Sequence, residues 1–281
     1  MADISAKDVA ALRKTTGAGM MDCKKALEEC EGDMDAAKTW LREKGLAAAG
    51  KRAGRDADQG AVEVQVDGNV GVIVELNCET DFVAKGEPFQ QALAKLTQLV
   101  IDEGADDLAN KTIEGSTVDD FVKGLSGTLG EKMQLGRVHR FDTEDGLLDG
   151  YKHIQNERGT VGVLVEMAGV DKADAKAREV AHDIALHIAS AAPRFVTRDD
   201  VPTDEVARER SVLEAQTREE GKPEQAWPKI VEGKLNGFFK TVALVEQPFV
   251  KDNKQTIDAV VKTLGPNASV RRFARVKIGE E

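Results

Sequence analysis

The run Val70-Gly71-Val72-Ile73-Val74-Glu75-Leu76 returns 91 positions later as Val161-Gly162-Val163-Leu164-Val165-Glu166-Met167. An apolar strand pattern used twice, with a carboxylate at the same place, predicts two related structural units rather than one continuous core. Each copy is followed by a helix-like segment, residues 86–101 and 172–190. A weaker match pairs Leu129-Gly130 with Leu264-Gly265 at an offset of 135, each ahead of a strand-like run, 135–141 and 270–278. Both halves therefore read strand, strand, helix, helix, strand.

The rise in offset from 91 to 135 places a net 44 extra residues in the second half, between about positions 190 and 256. Residues 203–220 and 224–240 are charged and helix-like, with Val206 and Leu213 on one arm, Ile230, Val231 and Leu235 on the other, and Gly221-Lys222-Pro223 between them. An antiparallel helical hairpin of this composition has little core of its own. It is expected to project as a short coiled coil or, alternatively, to fold back on the body.

The first 45 residues read as three short helices. Ser5 and Asp8 form a capping box ahead of Val9 and Leu12, and Thr15-Thr16-Gly17-Ala18-Gly19 ends that helix. Asp22 is expected to cap a second helix with the stripe Cys23, Ala26, Leu27 and Cys30. After a boundary at Gly32-Asp33, a third helix carries Ala36, Ala37, Trp40 and Leu41 on one face and is expected to stop at Gly45. Residues 46–60 read as a linker, either irregular or helical in part. Beyond it Val62, Val64 and Val66 alternate with polar residues, Asp67-Gly68-Asn69 makes a turn, and residues 70–78 return as a β-hairpin arm. The fold class is α+β.

Charge and cysteines remove several functions. The net charge of −11 argues against a partner recognised through a phosphate backbone, so no direct nucleic acid contact is expected; the first 55 residues carry +2 and the rest −13. The start Met1-Ala2-Asp3 has no basic or apolar leader and no run approaches a membrane span, so a cytoplasmic location and no membrane contact are expected. Cys23, Cys30 and Cys78 are odd in number. On a helix the first two would stand about 10.5 Å apart along the axis, too far for a bridge.

No triphosphate-cradling glycine loop, nucleophile elbow or His-Glu-x-x-His helix is present. His139, His153, His182 and His187 are scattered, and no metal or cofactor is expected. Asp102-Glu103, Asp106-Asp107 and Asp199-Asp200 lack the alternating ligands of a calcium loop. Cys78 shows neither a base nor an electropositive setting, so no catalytic residue is assigned. The segment 79–85 has two readings. Thr80 or Asp81 caps the next helix while Phe82 and Val83 staple it to the core, or this strand-to-helix edge presents side chains to a partner.

Three sets of residues resemble the elongation factor Ts family. They are Asn77-Cys78-Glu79-Thr80-Asp81-Phe82-Val83-Ala84-Lys85; Leu12-Arg13 with the run 16–27; and Gly221-Lys222-Pro223-Glu224 with Val231-Glu232-Gly233-Lys234 and Glu246-Gln247-Pro248-Phe249-Val250. The resemblance implies a three-helix domain similar to ubiquitin-associated domains and its linker over residues 1–55, a core subdomain over 56–145, and a related one over 146–281 with the hairpin inserted at about 200–242. It implies a guanine-nucleotide exchange factor, not an enzyme, whose partner is elongation factor Tu, a GTPase that holds GDP and Mg²⁺ tightly. Thr80, Asp81, Phe82 and Val83 match the wedge that enters near the Mg²⁺ site. Arg13, Met20 and Met21 match head positions that dock on the GTPase, although the usual burial of methionine alone reads both Met residues as core.

Some family members continue into a further C-terminal helix, whereas this chain is given to Gly279-Glu280-Glu281, so contacts from such a helix are not carried over. The hairpin is a candidate for homodimerisation, GTPase contact or ribosome contact. Reading the chain as a coiled-coil oligomerisation or interaction protein without exchange activity is the alternative.

Overall fold

A computed structural model describes residues 4–221 and 223–280; the start Met1-Ala2-Asp3, Lys222 of the hairpin joint and the final Glu281 lie outside the described residues. Three helices form the head: α1 (Ala6–Thr16), α2 (Met20–Glu29) and α3 (Met34–Arg52). Ser5 and Asp8 make the expected capping box, and Gly17 closes α1 with φ of 70°, a left-handed turn that suits glycine. Leu12, Cys23, Ala26, Leu27 and Ala37 fill the small core, with Trp40 and Leu41 packed at its edge and Ala36 exposed.

Two boundaries differ from expectation. Helix α2 begins at Met20 with Gly19 at its N-cap, and Asp22 makes no capping bond. Its carboxylate instead pairs with Lys44 at 2.8 Å. Nor does α3 stop at Gly45, and the predicted linker is helical as far as Arg52. The reason is tertiary. A Cβ added at Gly127 would lie 2.2 Å from the Gly45 Cα, so the glycines let two helices cross almost backbone to backbone rather than ending one of them.

The body continues with β1 (Gln59–Asp67), β2 (Val70–Cys78), the single turn α4 (Asp81–Ala84), α5 (Glu87–Glu103), a short ribbon of β3 (Thr112–Ile113) and β4 (Ser116–Thr117), α6 (Val118–Leu129) and β5 (Gln134–Asp142). Helix α6 is the one that crosses α3. The second half follows with β6 (Leu147–Gln155), β7 (Arg158–Ala168) and α7 (Ala175–Ala191). Next come α8 (Thr203–Glu219) and α9 (Trp227–Val242), then the ribbon β8 (Pro248–Phe249) and β9 (Asp252–Thr256), α10 (Ile257–Lys262) and β10 (Ser269–Lys277).

The repeated run is the central strand of both three-stranded antiparallel sheets, ordered β1-β2-β5 and β10-β7-β6. Side chains alternate across a strand, which explains why an almost continuous apolar run is needed. Val72, Val74 and Leu76 face the core under α5 and α6, whereas Ile73 faces the other sheet. Val163, Val165 and Met167 face the core under α7 and α10, and Leu164 again faces across. The sheets interlock reciprocally. A Cβ on Gly71 would sit 3.0 Å from the Leu164 side chain, and one on Gly162 would sit 3.2 Å from Ile73.

The inserted residues form helices α8 and α9, which pack on each other through Leu213, Val231, Leu235, Phe239 and Val242. Helix α8 buries only Leu213 and Thr217. Ion pairs Arg210–Glu232 at 3.1 Å and Lys234–Glu220 at 2.7 Å tie the arms. At the base, Arg198 holds Glu246 at 2.6 Å. None of the described helices is long and apolar enough to cross a membrane.

Candidate partner-binding site

Where β2 ends, the chain turns sharply into α4. Thr80 is the N-cap, its hydroxyl oxygen accepting from the Val83 N–H at 3.3 Å, as one of the two sequence readings expects. The remainder of that stapling reading fails for Phe82. With only one helical turn available, the inward side is filled by buried Ala84 and half-buried Val83, and Phe82 is left 76% exposed. A lone aromatic so exposed at a strand-to-helix edge has no packing role in the chain itself.

Asp81 is half exposed and has Lys85 four residues on, at 3.9 Å, a surface pairing that leaves its carboxylate largely free. The segment is held from behind. Glu131 accepts from the Thr80 N–H at 3.0 Å and from the Thr80 hydroxyl at 2.7 Å. Glu79 accepts from the Lys132 N–H at 2.6 Å and from Arg55 at 3.2 Å. The Lys132 N–H, ahead of the Arg55 guanidinium, holds the Glu79 carboxyl below the usual range.

Glu79 lies in the segment that the sequence marks, whereas nothing in the sequence marks Glu131 or Lys132 as its counterparts. Thr80 and Glu131 stand 51 positions apart, and no local spacing announces such a contact. The one available signal is the position of Glu131 directly after the repeated Leu-Gly pair that precedes the third strand of each half.

Cys78 lies beneath the same turn, donating to the Thr80 carbonyl at 3.1 Å. Burial, with the nearby Glu131 charge, pushes its thiol up to about 12, which makes it a poor nucleophile at neutral pH. Among the described residues no group of three or more His, Cys, Asp or Glu side chains is arranged to hold a metal ion. His187 is a buried structural residue, bonded to Gln247 at 2.8 Å. Asp149 faces His182 at 3.0 Å on the second sheet, well removed in sequence from the turn.

The head residues form a second exposed group. Arg13 is on the outer face of α1, Met20 is 57% exposed and Met21 is 76% exposed. Methionine burial, expected from residue type alone, is overturned because the three-helix core closes on Cys23, Ala26 and Leu27, leaving the first turn of α2 beyond its edge. No hydrogen bond or ion pair among the described residues joins Arg13, Met20 or Met21 to residues 80–83. Phe82 on one element and Met20 and Met21 on another are thus exposed large apolar side chains, the kind of surface that marks a contact with a macromolecule.

Comparison with known proteins agrees along the whole chain. Residues 79–280 match the family model described as Elongation factor TS, and residues 2–50 match one described as Elongation factor Ts, mitochondrial, N-terminal. The Elongation factor Ts of Thermobifida fusca (strain YX) is 48% identical over 287 residues, covering 100% of both chains. That of Acidothermus cellulolyticus is 48% identical over 283 residues, again with 100% of both covered. The protein of the same name from Prosthecochloris aestuarii is 41% identical over 292 residues, covering 99% of this chain and 100% of its own.

Proposed function

The chain belongs to the elongation factor Ts family, and on that premise we propose that it is a guanine-nucleotide exchange factor that binds elongation factor Tu carrying GDP, disturbs the Mg²⁺ and phosphate site, and promotes GDP release for GTP reloading during translation elongation. The observation that carries this reading is Phe82, 76% exposed at the tip of a turn that two carboxylates clasp to the neighbouring loop.

Phe82 is the wedge. An aromatic ring driven between packed side chains of the GTPase displaces the element behind them, because close-packed interiors shift rather than compress. Asp81 beside it brings a carboxylate toward the ligand shell of the partner's Mg²⁺, an ion that requires near-ideal octahedral geometry. Once that shell is disturbed, the GDP phosphates lose charge compensation and the nucleotide leaves. Thr80 caps the turn and Val83 anchors it, so these two hold the wedge while Asp81 and Phe82 act. No bond in the nucleotide is broken.

Arg13, Met20 and Met21 supply the second grip, where flexible polarizable methionines suit an adaptable surface. The thermodynamics is reciprocal: if the factor lowers GDP affinity, GDP lowers the affinity of the factor by the same ratio. The factor must therefore bind the nucleotide-free GTPase more tightly than the GDP form.

Release of a fluorescent GDP analogue from elongation factor Tu tests the proposal. The parent chain should accelerate release strongly, and an Asp81→Ala, Phe82→Ala double variant should lose most of that acceleration with its fold intact. No acceleration by the parent would remove the exchange reading. Equal acceleration by both would move the mechanism away from this turn.

A further inference from the structure

We infer that Glu131 is a positioning residue for nucleotide release, holding the Asp81-Phe82 turn in its active orientation and coupling it to the head; this rests on the exchange function proposed above. The structural basis is a reciprocal clasp between two loops distant in sequence. The Glu131 carboxylate takes the Thr80 N–H at 3.0 Å and the Thr80 hydroxyl at 2.7 Å, while the Glu79 carboxylate takes the Lys132 N–H at 2.6 Å. Each loop thus supplies a side chain to the backbone of the other.

The direction of each bond matters. With its hydroxyl proton committed to Glu131, the Thr80 oxygen offers its lone pairs to the Val83 N–H, at 3.3 Å. Glu131 therefore orients the cap that closes α4 and sets where Phe82 emerges. Without it, the Thr80 hydroxyl is free to rotate, and the single turn of α4 has no internal cooperativity to preserve its shape.

The clasp also reaches the head. The Ser126 hydroxyl donates to the Glu131 carbonyl at 2.6 Å, and Arg52, in the last turn of α3, donates to the Ser126 carbonyl at 3.0 Å. Arg55 donates to Glu79 and accepts at its carbonyl from the Lys132 ammonium at 2.7 Å. A continuous polar path runs from the end of the head helix to the Phe82 turn. Charge-assisted bonds of this kind are short and directional, which suits positioning.

The test uses the full chain, elongation factor Tu loaded with a fluorescent GDP analogue, and the release rate measured against factor concentration. Glu131→Ala should lower the limiting release rate about tenfold, the scale of one charge-assisted hydrogen bond, and change the half-saturating concentration by less than about twofold. Glu131→Gln, which keeps size and one acceptor oxygen, should fall between it and the parent, and it serves as the comparison should the alanine variant fold poorly. In a Phe82→Ala background the Glu131 substitution should add almost nothing, because a residue that acts through another has no separate effect once that other is gone.

Amide hydrogen exchange supplies a readout independent of the partner. Thr80 and Val83 amides should exchange faster in Glu131→Ala while those of β2 and α5 keep their protection. A full limiting rate for Glu131→Ala, an equal loss in the Phe82→Ala background, or unchanged protection at Thr80 and Val83 would each overturn the inference. If the parent accelerates release and Phe82→Ala abolishes it while Glu131→Ala is normal, the positioning role fails and the exchange function stands. A parent without activity ends both.

Discussion

Arg137 lies bidentate on Glu75, at 2.8 and 3.0 Å, and the same guanidinium donates to the carbonyl oxygen of Lys277 in the other half at 2.7 Å. The relationship is repeated. Arg272 donates to Glu166 at 2.6 Å and to the carbonyl of Asp142 at 2.9 Å. Glu75 and Glu166 are separated by the first repeat offset; Arg137 and Arg272, like Asp142 and Lys277, are separated by the second. Each half therefore neutralises its own buried carboxylate with an arginine that also bonds the opposite half, as in a two-fold symmetric interface.

The two ion pairs should respond unequally to loss of the arginine. Arg137→Ala leaves a carboxylate that is 3% exposed with the backbone N–H of residue 137, at 2.9 Å, in place of a guanidinium, and should cost about 3 kcal/mol. Arg272→Ala should cost less, about 1–2 kcal/mol, because Arg271 still donates to Glu166 at 2.7 Å. Urea denaturation of both variants measures the difference, and equal losses would show that Arg271 does not compensate.

Acid should destabilise the chain in two stages. The Val250 N–H donates to Nδ1 of His187, so Nε2 carries the ring proton and donates to Gln247; burial holds the pKa of His187 below the ordinary histidine value, against the smaller upward effect of Gln247. The unfolded chain takes up this proton first. Stability should therefore begin to fall below about pH 6.5 and continue to fall down to the depressed native value. His187→Gln keeps a donor to Gln247 but cannot titrate, so the pH slope in its denaturation curves should be reduced to the share left by His139, which burial also holds below the ordinary value.

The second stage belongs to the carboxylates held below their ordinary values, Glu79, Asp142 and Glu166 among them, of which Glu166 is the most buried. Burial pushes its pKa up, but the Thr143 hydroxyl and the Arg272 and Arg271 guanidinium groups outweigh it and hold the carboxyl below the ordinary value. Its contribution is complete above about pH 4.3 and is lost as pH falls through the lower native pKa.

On α6, neighbouring glycines should behave oppositely. Gly127→Ala forces a methyl against the Gly45 backbone and should cost about 1–3 kcal/mol, with slower GDP release because the head is displaced. Gly124→Ala meets nothing within 4 Å and should stabilise the helix by up to about 1 kcal/mol. Thermal melting of the pair separates the effects; a harmless Gly127→Ala would mean that the crossing tolerates a wider separation.

Leu235→Ala should act locally. The hairpin has its own buried cluster, so the loss of about 2–5 kcal/mol should appear as faster amide exchange in α8 and α9, with β2 and β7 unaffected. Uniform loss of protection would show that the hairpin and the body unfold together.

The sheets were legible because period-2 alternation and the repeat are local signals. Val72 and Val163 stand on inner faces as the pattern requires, and the change in offset locates α8 and α9. Gly45 was misleading for a physical reason: a glycine that ends a helix and one that admits a neighbouring helix look the same until Gly127 is opposite it. The turn itself was legible, with Thr80 as its cap, but its support was not. Glu131 accepts from Thr80 across 51 positions, and a single half-buried glutamate has no periodic signature.

The uninterrupted course of α3 has a mechanical consequence. Its 19 residues form a rod about 28 Å long at roughly 1.5 Å per residue, rooted by its far end where it crosses α6. Had the helix ended with the head, the head would hang from a tether, and a pull on Met20 or Met21 would be absorbed as slack. As built, the same pull becomes a torque on α6, whose far end leads into the loop that grips Thr80.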